Sequence, residues 1–136
     1  MNEIGTAAQL VRLQLLSSSS ITDIVEDRIY TQHFNDFDNA TVNMPLIIVE
    51  NKGGYANHGK GTQKIELDIY CYSRAGTAEC SQIYSAVYDA LQSQRLHNAN
   101  ISMRGYCYEK SRPLEDWSDG ILAWAKRGHF CLHTAG

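Results

Sequence analysis

Residues 64–72 read KIELDIYCY, and apolar and polar side chains alternate through this stretch. Successive side chains of a β-strand point to opposite faces of the sheet. One face therefore carries Ile65, Leu67, Ile69 and Cys71, and the other carries Lys64, Glu66, Asp68 and Tyr70. The pattern predicts a strand with one buried face, against which the neighbouring elements pack.

A helix is predicted directly after this strand. Thr77, directly after Gly76, is predicted to cap the helix. The carboxylate of Glu79 in the first turn interacts favourably with the positive end of the helix dipole. Apolar residues then recur at helical spacing as far as Ser93. The predicted buried stripe consists of Cys80, Ile83, Tyr84, Val87 and Leu91.

Before the strand at 64–72, the sequence predicts another strand and a connection between the two. Pro45 opens the strand Leu46–Glu50, whose continuous apolar run predicts burial on both faces and a central position. Lys52–Gly61 has four glycines and no apolar periodicity. This composition predicts a mobile connection between the two strands.

The beginning of the chain predicts two helices. Thr6–Leu16 forms the first, and the serines 17–20 end it because their hydroxyl groups compete for backbone hydrogen bonds. Ser20 is predicted to cap a short second helix, with Asp23 in its first turn. After the apolar pair at 29–30, residues 31–43 are polar and predict a loop. The buried stripe of the first helix is Ala7, Leu10, Val11 and Leu15.

The last third of the chain predicts a hairpin. Ile101, Met103 and Cys107 alternate with polar residues as a third strand, and PLEDWSDG at 113–120 predicts a turn with an acidic tip. Residues 121–133 predict a fourth strand with a bulge at Gly128. Two strands joined in this way pair antiparallel.

These elements predict one α+β domain spanning residues 1–136. Its expected core is a mainly antiparallel four-stranded sheet with two main helices packed on one face. The other face of the sheet is expected to show Tyr70, Tyr72, Tyr106 and Tyr108 among charged neighbours.

Composition excludes several classes of protein. The chain has 136 residues, 43% of them hydrophobic, and a net charge of −3, which argues against a basic face that grips nucleic acid. Its longest apolar stretch, Met44–Val49, is far shorter than the ~20 residues that span a membrane. The start of the chain has no pattern of a secretion signal. We therefore expect a protein that is made in the cytoplasm and is not associated with a membrane.

The four cysteines are expected to be reduced core residues. They are widely spaced, contain no CxxC, and three of them fall on predicted strands. They are Cys71, Cys80, Cys107 and Cys131.

His129, Cys131 and His133 form the strongest candidate for a metal site. Their spacing of two places all three on one strand face, and Cys107 across the hairpin is a candidate fourth ligand. In the alternative interpretation, which we favour, the two histidines are exposed near the end of the strand and Cys131 is a buried core thiol. A small metal-dependent hydrolase remains an alternative function on this basis.

Three weaker patterns have structural explanations that we favour. Cys80 near a helix start resembles a catalytic thiol, but the helical stripe buries it. The glycine-rich segment with Lys52 and Lys60 lacks the P-loop pattern, which makes a surface hairpin the better interpretation. Glu115, Asp116 and Asp119 lack the regular alternation of a calcium loop and are interpreted as a solvated acidic turn. We therefore expect no catalytic residue, no metal and no cofactor.

The order of elements resembles the phage tail terminator (tail completion) family of long-tailed bacteriophages. The resemblance rests on the first helix, on EDRIY at 26–30, on MPLIIVE at 44–50 and on the strand closing with CYS at 71–73. It continues through the helix at 77–91 and the hairpin that ends FCL at 130–132. Each motif is short, and the combined order over nearly the whole chain carries the resemblance. The polar segment 31–43 departs from the family pattern by its length.

The resemblance implies a virion structural protein without an active site. Its copies are expected to form a ring, hexameric in the family, that caps the head-proximal end of the tail tube and ends tube polymerisation. The implied partners are other copies, the major tail tube protein and the head–tail connector, and genome DNA passes through the ring without specific binding. A head-completion or neck protein of the same virion is the alternative.

Eight tyrosines against three phenylalanines indicate a contact surface, although a solvated sheet face also tolerates tyrosine. Together with the two loops, they give the candidate residues for contacts with partners. These are Lys52, Tyr55, Lys60, Tyr70, Tyr106, Glu115, Asp116 and Trp117.

Overall fold

The computed structural model describes residues 3–31, 43–57, 62–118 and 122–135. Within these ranges three helices and six strands follow one another along the chain. In order they are α1 (Glu3–Leu16), α2 (Ser19–Val25), β1 (Ile29–Tyr30), β2 (Leu46–Asn57), β3 (Thr62–Ser73), α3 (Thr77–Leu91), β4 (Gln94–Asn98), β5 (Ile101–Ser118) and β6 (Ala123–Ala135). No helix in the described ranges is long and apolar enough to cross a membrane.

The strands form one mixed sheet in the order β1-β2-β3-β6-β5-β4. Only β1 and β2 pair in parallel, and every other pair is antiparallel. The predicted α+β class and the antiparallel β5–β6 hairpin are confirmed, but the predicted count of four strands is wrong. The two additional strands, β1 and β4, lie at the edges, and they are too short to show a pattern of alternation.

The hydrophobic core lies between one face of this sheet and the helices. The four apolar residues of β3 and the predicted stripes of α1 and α3 are all buried there, which confirms these predictions. Leu46, Ile47, Ile48 and Val49 of β2 are fully buried, as their continuous apolar run predicts. Phe130 and Leu132 of β6 complete the core from the far side of β3.

Several predicted boundaries are wrong because strand pairing continues beyond the apolar residues. Residues 51–57 pair with β3 and belong to β2, with a bulge at Asn51–Gly53 where Gly53 has a φ of 104°. Residues 113–118, predicted as a turn, pair with β6 as part of β5. The cap positions of α2 and α3 are Ser18 and Gly76, one or two residues earlier than the predicted Ser20 and Thr77. The predicted loop 31–43 lies almost entirely outside the described residues.

Gly128 makes room for a helix side chain and does not mark a bulge. The β3–β6 register runs through it without a shift, and the irregular register lies instead in β5 between Glu109 and Leu114. A Cβ atom at Gly128 would collide with the phenol of Tyr84. The Tyr84 hydroxyl donates a hydrogen bond to Glu109, and the ammonium group of Lys126 lies 5.6 Å from the centre of its ring. The phenol therefore anchors α3 to β5 and β6.

All four cysteines are free and buried, as predicted. Burial raises the pKa of the Cys80 thiol to about 11 and that of Cys107 to about 12. Cys80 also points its sulfur at the backbone carbonyl of Trp124, 3.3 Å away. A neutral, buried thiol is a packing residue and not an activated nucleophile.

We expect Gly128→Ala to destabilise the protein by about 1–3 kcal/mol, because the added methyl group must displace the Tyr84 phenol. Denaturant unfolding of the wild type and the variant measures this cost. In a Tyr84→Ala background the phenol is gone, and the same glycine substitution should cost much less. An equal cost in both backgrounds would contradict the packing role of Gly128.

We expect the free energy of unfolding to fall as the pH rises from 9 towards 12. An unfolded thiol ionises near its ordinary pKa of 9.0, whereas the folded protein holds Cys107 neutral until about pH 12. Its contribution is therefore complete below pH 9 and is lost above it, at about 1.4 kcal/mol per pH unit. Urea unfolding at several alkaline pH values should show a shallower loss for Cys107→Ala than for the wild type.

Candidate functional site

The face of the sheet that points away from the helices, called the outer face below, carries the polar side of β3. Near the β5–β6 hairpin it is apolar, where a second buried cluster consists of Leu46, Ile48, Tyr72, Ala123 and Ala125. Tyr72 was expected to be displayed on this face, but it is only 3% exposed because apolar side chains of β2 and β6 flank it. Tyr70 stacks on it, with ring centres 5.8 Å apart and planes 3° from parallel.

A network of charged side chains crosses the middle of the outer face. Asp68 lies at its centre with a side chain only 7% exposed, and His129 Nδ1 is 2.6 Å from Asp68 Oδ1. Lys52 Nζ lies 2.7 Å from Glu50 Oε1 and 3.7 Å from Asp68 Oδ2. The histidine and the lysine therefore flank one buried carboxylate from the two neighbouring strands.

The network continues towards β5 through Glu66. This carboxylate forms an ion pair with Lys110 and lies 3.8 Å from His129 Nε2. The hydrogen bond from Lys110 lowers the pKa of Glu66, and the hydrogen bond to Glu50 raises the pKa of Lys52. Both groups are therefore held in their charged forms.

His129, Cys131 and His133 share the outer face, as their spacing predicts, but each has other neighbours. His129 contacts the two carboxylates of the charged network. His133 Nε2 lies 3.0 Å from the Tyr108 hydroxyl, and the two rings are 5.4 Å apart. The Cys131 thiol is buried, and its burial raises its pKa. Within the described ranges, no three histidine, cysteine or acidic side chains come together as metal ligands.

The described surface includes one cleft beside the helices and one on the outer face. The larger, of about 610 Å³, lies among α1, α2 and α3 and is lined mainly by serine, glutamine and alanine side chains. The smaller, of about 220 Å³, lies on the outer face between the charged network and β5. Its lining residues are Lys52, Asp68, Ser111, Arg112, Leu114, Arg127 and His129. The smaller cleft brings Ser111 opposite His129, which contacts Asp68, but among the described residues no hydrogen bond joins the Ser111 hydroxyl to the imidazole.

The predicted contact residues lie in separate parts of the structure. Lys52 and Tyr70 lie on the outer face, while Tyr106 is 40% exposed near the β4 edge. Glu115, Asp116 and Trp117 follow one another near the end of β5 and are all exposed. Tyr55 lies on β2 opposite Lys64, and Lys60 lies outside the described residues.

Four large hydrophobic side chains are exposed near the end of the β5–β6 hairpin, where the two tryptophans lie on the helix side of the sheet and Leu114 lies on the outer face. Leu114 is 62% exposed, Leu122 46%, Trp117 40% and Trp124 38%. The two tryptophan rings meet edge to face with centres 5.3 Å apart. Beside them, Glu115 Oε1 lies 3.3 Å from Lys126 Nζ. Exposed tryptophan beside charged residues is typical of protein–protein contact surfaces.

Sequence reasoning missed Trp124 and the pairing of Asp68 with His129. Trp117 and Trp124 lie directly opposite each other in the hairpin register, symmetrically about the turn. The prediction of a turn over 113–120 hid this symmetry, because residues 113–118 pair with β6 and Ser118 lies opposite Ala123. Asp68 and His129 are 61 positions apart, and only the β3–β6 register brings them together.

Comparison with known proteins shows the family of this chain and a solved structure with a similar fold. The family model of tail completion protein gp17 matches residues 9–112. A chain of the solved structure "Virion of native gene transfer agent (GTA) particle" superimposes with a TM-score of 0.77 over 100% of both chains, at 14% sequence identity. At that identity the likeness shows a shared fold. No curated protein matches the sequence.

We expect Asp68→Ala to lower the free energy of unfolding by about 2 kcal/mol, because it removes a buried carboxylate that accepts a charge-assisted hydrogen bond. Chemical denaturation measures the change. Asp89→Ala, at an exposed position on α3, is the matched control and should change stability by less than about 0.5 kcal/mol. Equal effects of the two substitutions would show that the network adds nothing to stability.

Proposed function

Because the chain belongs to the tail completion protein gp17 family, we propose that it forms a ring that completes the phage tail. The family consists of bacteriophage virion structural proteins that take part in tail completion. In our proposal about six copies close into a ring on the head-proximal end of the tail tube. The ring ends tube polymerisation and provides the joint to the head–tail connector.

The family match carries this proposal, since it extends from α1 into β5. A protein whose role is assembly needs contact surfaces and no reaction centre. The described surface supports this role, with exposed tryptophans on a hairpin and charged side chains paired across an outer sheet face.

The two hairpins support a ring with two different axial faces. The β2–β3 hairpin turns beyond Thr62, which pairs with Ala135, whereas the β5–β6 hairpin turns beyond Trp124, which pairs with Ser73. The turns therefore lie at opposite ends of β3, roughly 35–40 Å apart for a strand of this length. In the proposal one end contacts the tail tube protein and the other contacts the connector.

The proposed ring also lets genome DNA pass without specific binding. The net charge of −3 fits a protein that does not grip the phosphate backbone.

We expect phage particles assembled without this protein to carry overlong tails, because nothing stops the addition of tube subunits. Electron microscopy of particles from a gene-disrupted phage measures tail length, and supplying the wild-type chain from a plasmid should restore it. Tails of normal length that fail to join heads would indicate the neck or head-completion alternative. Immunogold labelling should place the protein at the head–tail junction.

A further inference from the structure

The smaller cleft of the outer face lies where the register of β5 is irregular. Ser111 pairs with His129 and Leu114 pairs with Arg127, so β5 advances three positions where β6 advances two. The extra residue forms a bulge, and bulges turn side chains into new directions. Here the side chain of Arg112, inside the bulge, lines the cleft together with that of Arg127. This cleft is called the arginine cleft below.

Neither arginine is neutralised by a carboxylate in the part of the chain that the structure describes. Arg112 is exposed and has no hydrogen-bond or ion-pair partner there. Arg127 is also exposed, and its guanidinium group hydrogen-bonds to the phenol of Tyr70. The carboxylates of Asp68 and Glu50 act on Arg127 only over a longer distance. Two exposed guanidinium groups therefore line one small cleft without an anion between them.

The carboxylates nearest to the cleft are already engaged with other groups. Glu50 pairs with Lys52, and Asp68 lies between Lys52 and His129. Even without His129, three cations stand against these two carboxylates around the cleft. The excess positive charge lies on the two arginines, so the cleft favours a negatively charged group.

The size and chemistry of the cleft fit a carboxylate side chain. Pockets for small molecules and cofactors usually measure about 300–1,000 Å³, whereas this cleft measures about 220 Å³. Guanidinium groups bind carboxylates through paired, charge-assisted hydrogen bonds. Leu114 lines the same cleft and is 62% exposed, so it offers an apolar surface to the methylene groups of a glutamate.

The position of the cleft indicates which protein supplies the carboxylate. The described helices pack on the opposite face of the sheet and leave the cleft accessible. A second copy that packed its own outer face here would bring its arginines against these arginines, which is unfavourable. A different protein chain with an exposed acidic residue fits the cleft better.

We propose that the arginine cleft binds a glutamate or aspartate side chain of another virion protein between Arg112 and Arg127. The identity of the partner rests on the proposed function, in which the ring contacts the tail tube protein and the connector. The binding of a carboxylate rests on the cleft alone.

Titration of the purified full-length chain with glutarate, which carries the carboxylate of a glutamate side chain, tests the cleft. The NMR signals of the Arg112 and Arg127 Nε–H groups should shift and saturate with a Kd on the order of 1 mM. Arg112→Gln should weaken this binding at least about tenfold, because it removes the charge and the paired donors. Arg104→Gln changes an exposed arginine on the outer face of the same strand and is the matched control. It should bind glutarate as the wild type does.

Other titrants identify the anion. Glutaramide, a neutral molecule of similar shape, and sodium chloride at equal ionic strength should give no saturable shift of these signals. Inorganic phosphate that binds about tenfold more tightly than glutarate would assign the cleft to a phosphate group and overturn the inference. The absence of a saturable shift with glutarate, or an equal loss of binding in Arg104→Gln, would also overturn it.

Complementation of the gene-disrupted phage tests the partner. The Arg112→Glu/Arg127→Glu variant should restore at least about tenfold fewer infectious particles than the wild-type chain, whereas Arg104→Glu should restore them fully. Circular dichroism checks the fold, and a double variant that unfolds is replaced by Arg112→Gln. Equal restoration by the double variant and the wild type would contradict a role for the cleft in assembly.

Two further results separate this inference from other contacts and from the proposed function. Self-association in native mass spectrometry that is lost in the double variant would assign the carboxylate to a second copy and overturn the inference. Glutarate binding does not depend on tail length. Gene-disrupted phage with tails of normal length would therefore remove the proposed function and leave carboxylate binding by the cleft standing.

Discussion

The fold depends on strand β3, which is paired on both sides over nearly its whole length. It forms hydrogen-bonded ladders with β2 and β6, and its alternation sends one set of side chains into the core and the other to the outer face. A shift of one residue in this register would place charged side chains against the helices. The buried apolar face of β3 therefore sets the position of everything that the outer face carries.

The outer face shows how charged groups are accommodated on a central strand. Asp68 is nearly buried, and it is tolerated because His129 and Lys52 approach it from the two neighbouring strands. An isolated carboxylate in this position would be costly, since burial removes its hydration. The same strands that cover the core thus hold the charged network in one geometry, and the exposed tryptophans lie away from it near the end of the β5–β6 hairpin.

The helical layer contacts the β5–β6 hairpin through one side chain of α3. Tyr84 of α3 reaches the sheet because position 128 has no side chain, and it donates a hydrogen bond to Glu109 just before the irregular part of β5. Lys126 lies near the same ring and also pairs with Glu115. The helix therefore steadies the strands from which the tryptophan-bearing end of the hairpin extends.

Local patterns in the sequence were sufficient for the helices α1 and α3, for the faces of β3 and for the buried run in β2. In these segments periodicity reports burial directly, because a residue at the right spacing has to face the core. The resemblance to tail completion proteins also followed from the order of elements. The short edge strands, the full lengths of β2 and β5, the role of Gly128 and the pairing of Asp68 with His129 were decided by the tertiary structure. These features depend on which strands become neighbours and in which register, and no local pattern records a contact between residues far apart in the chain.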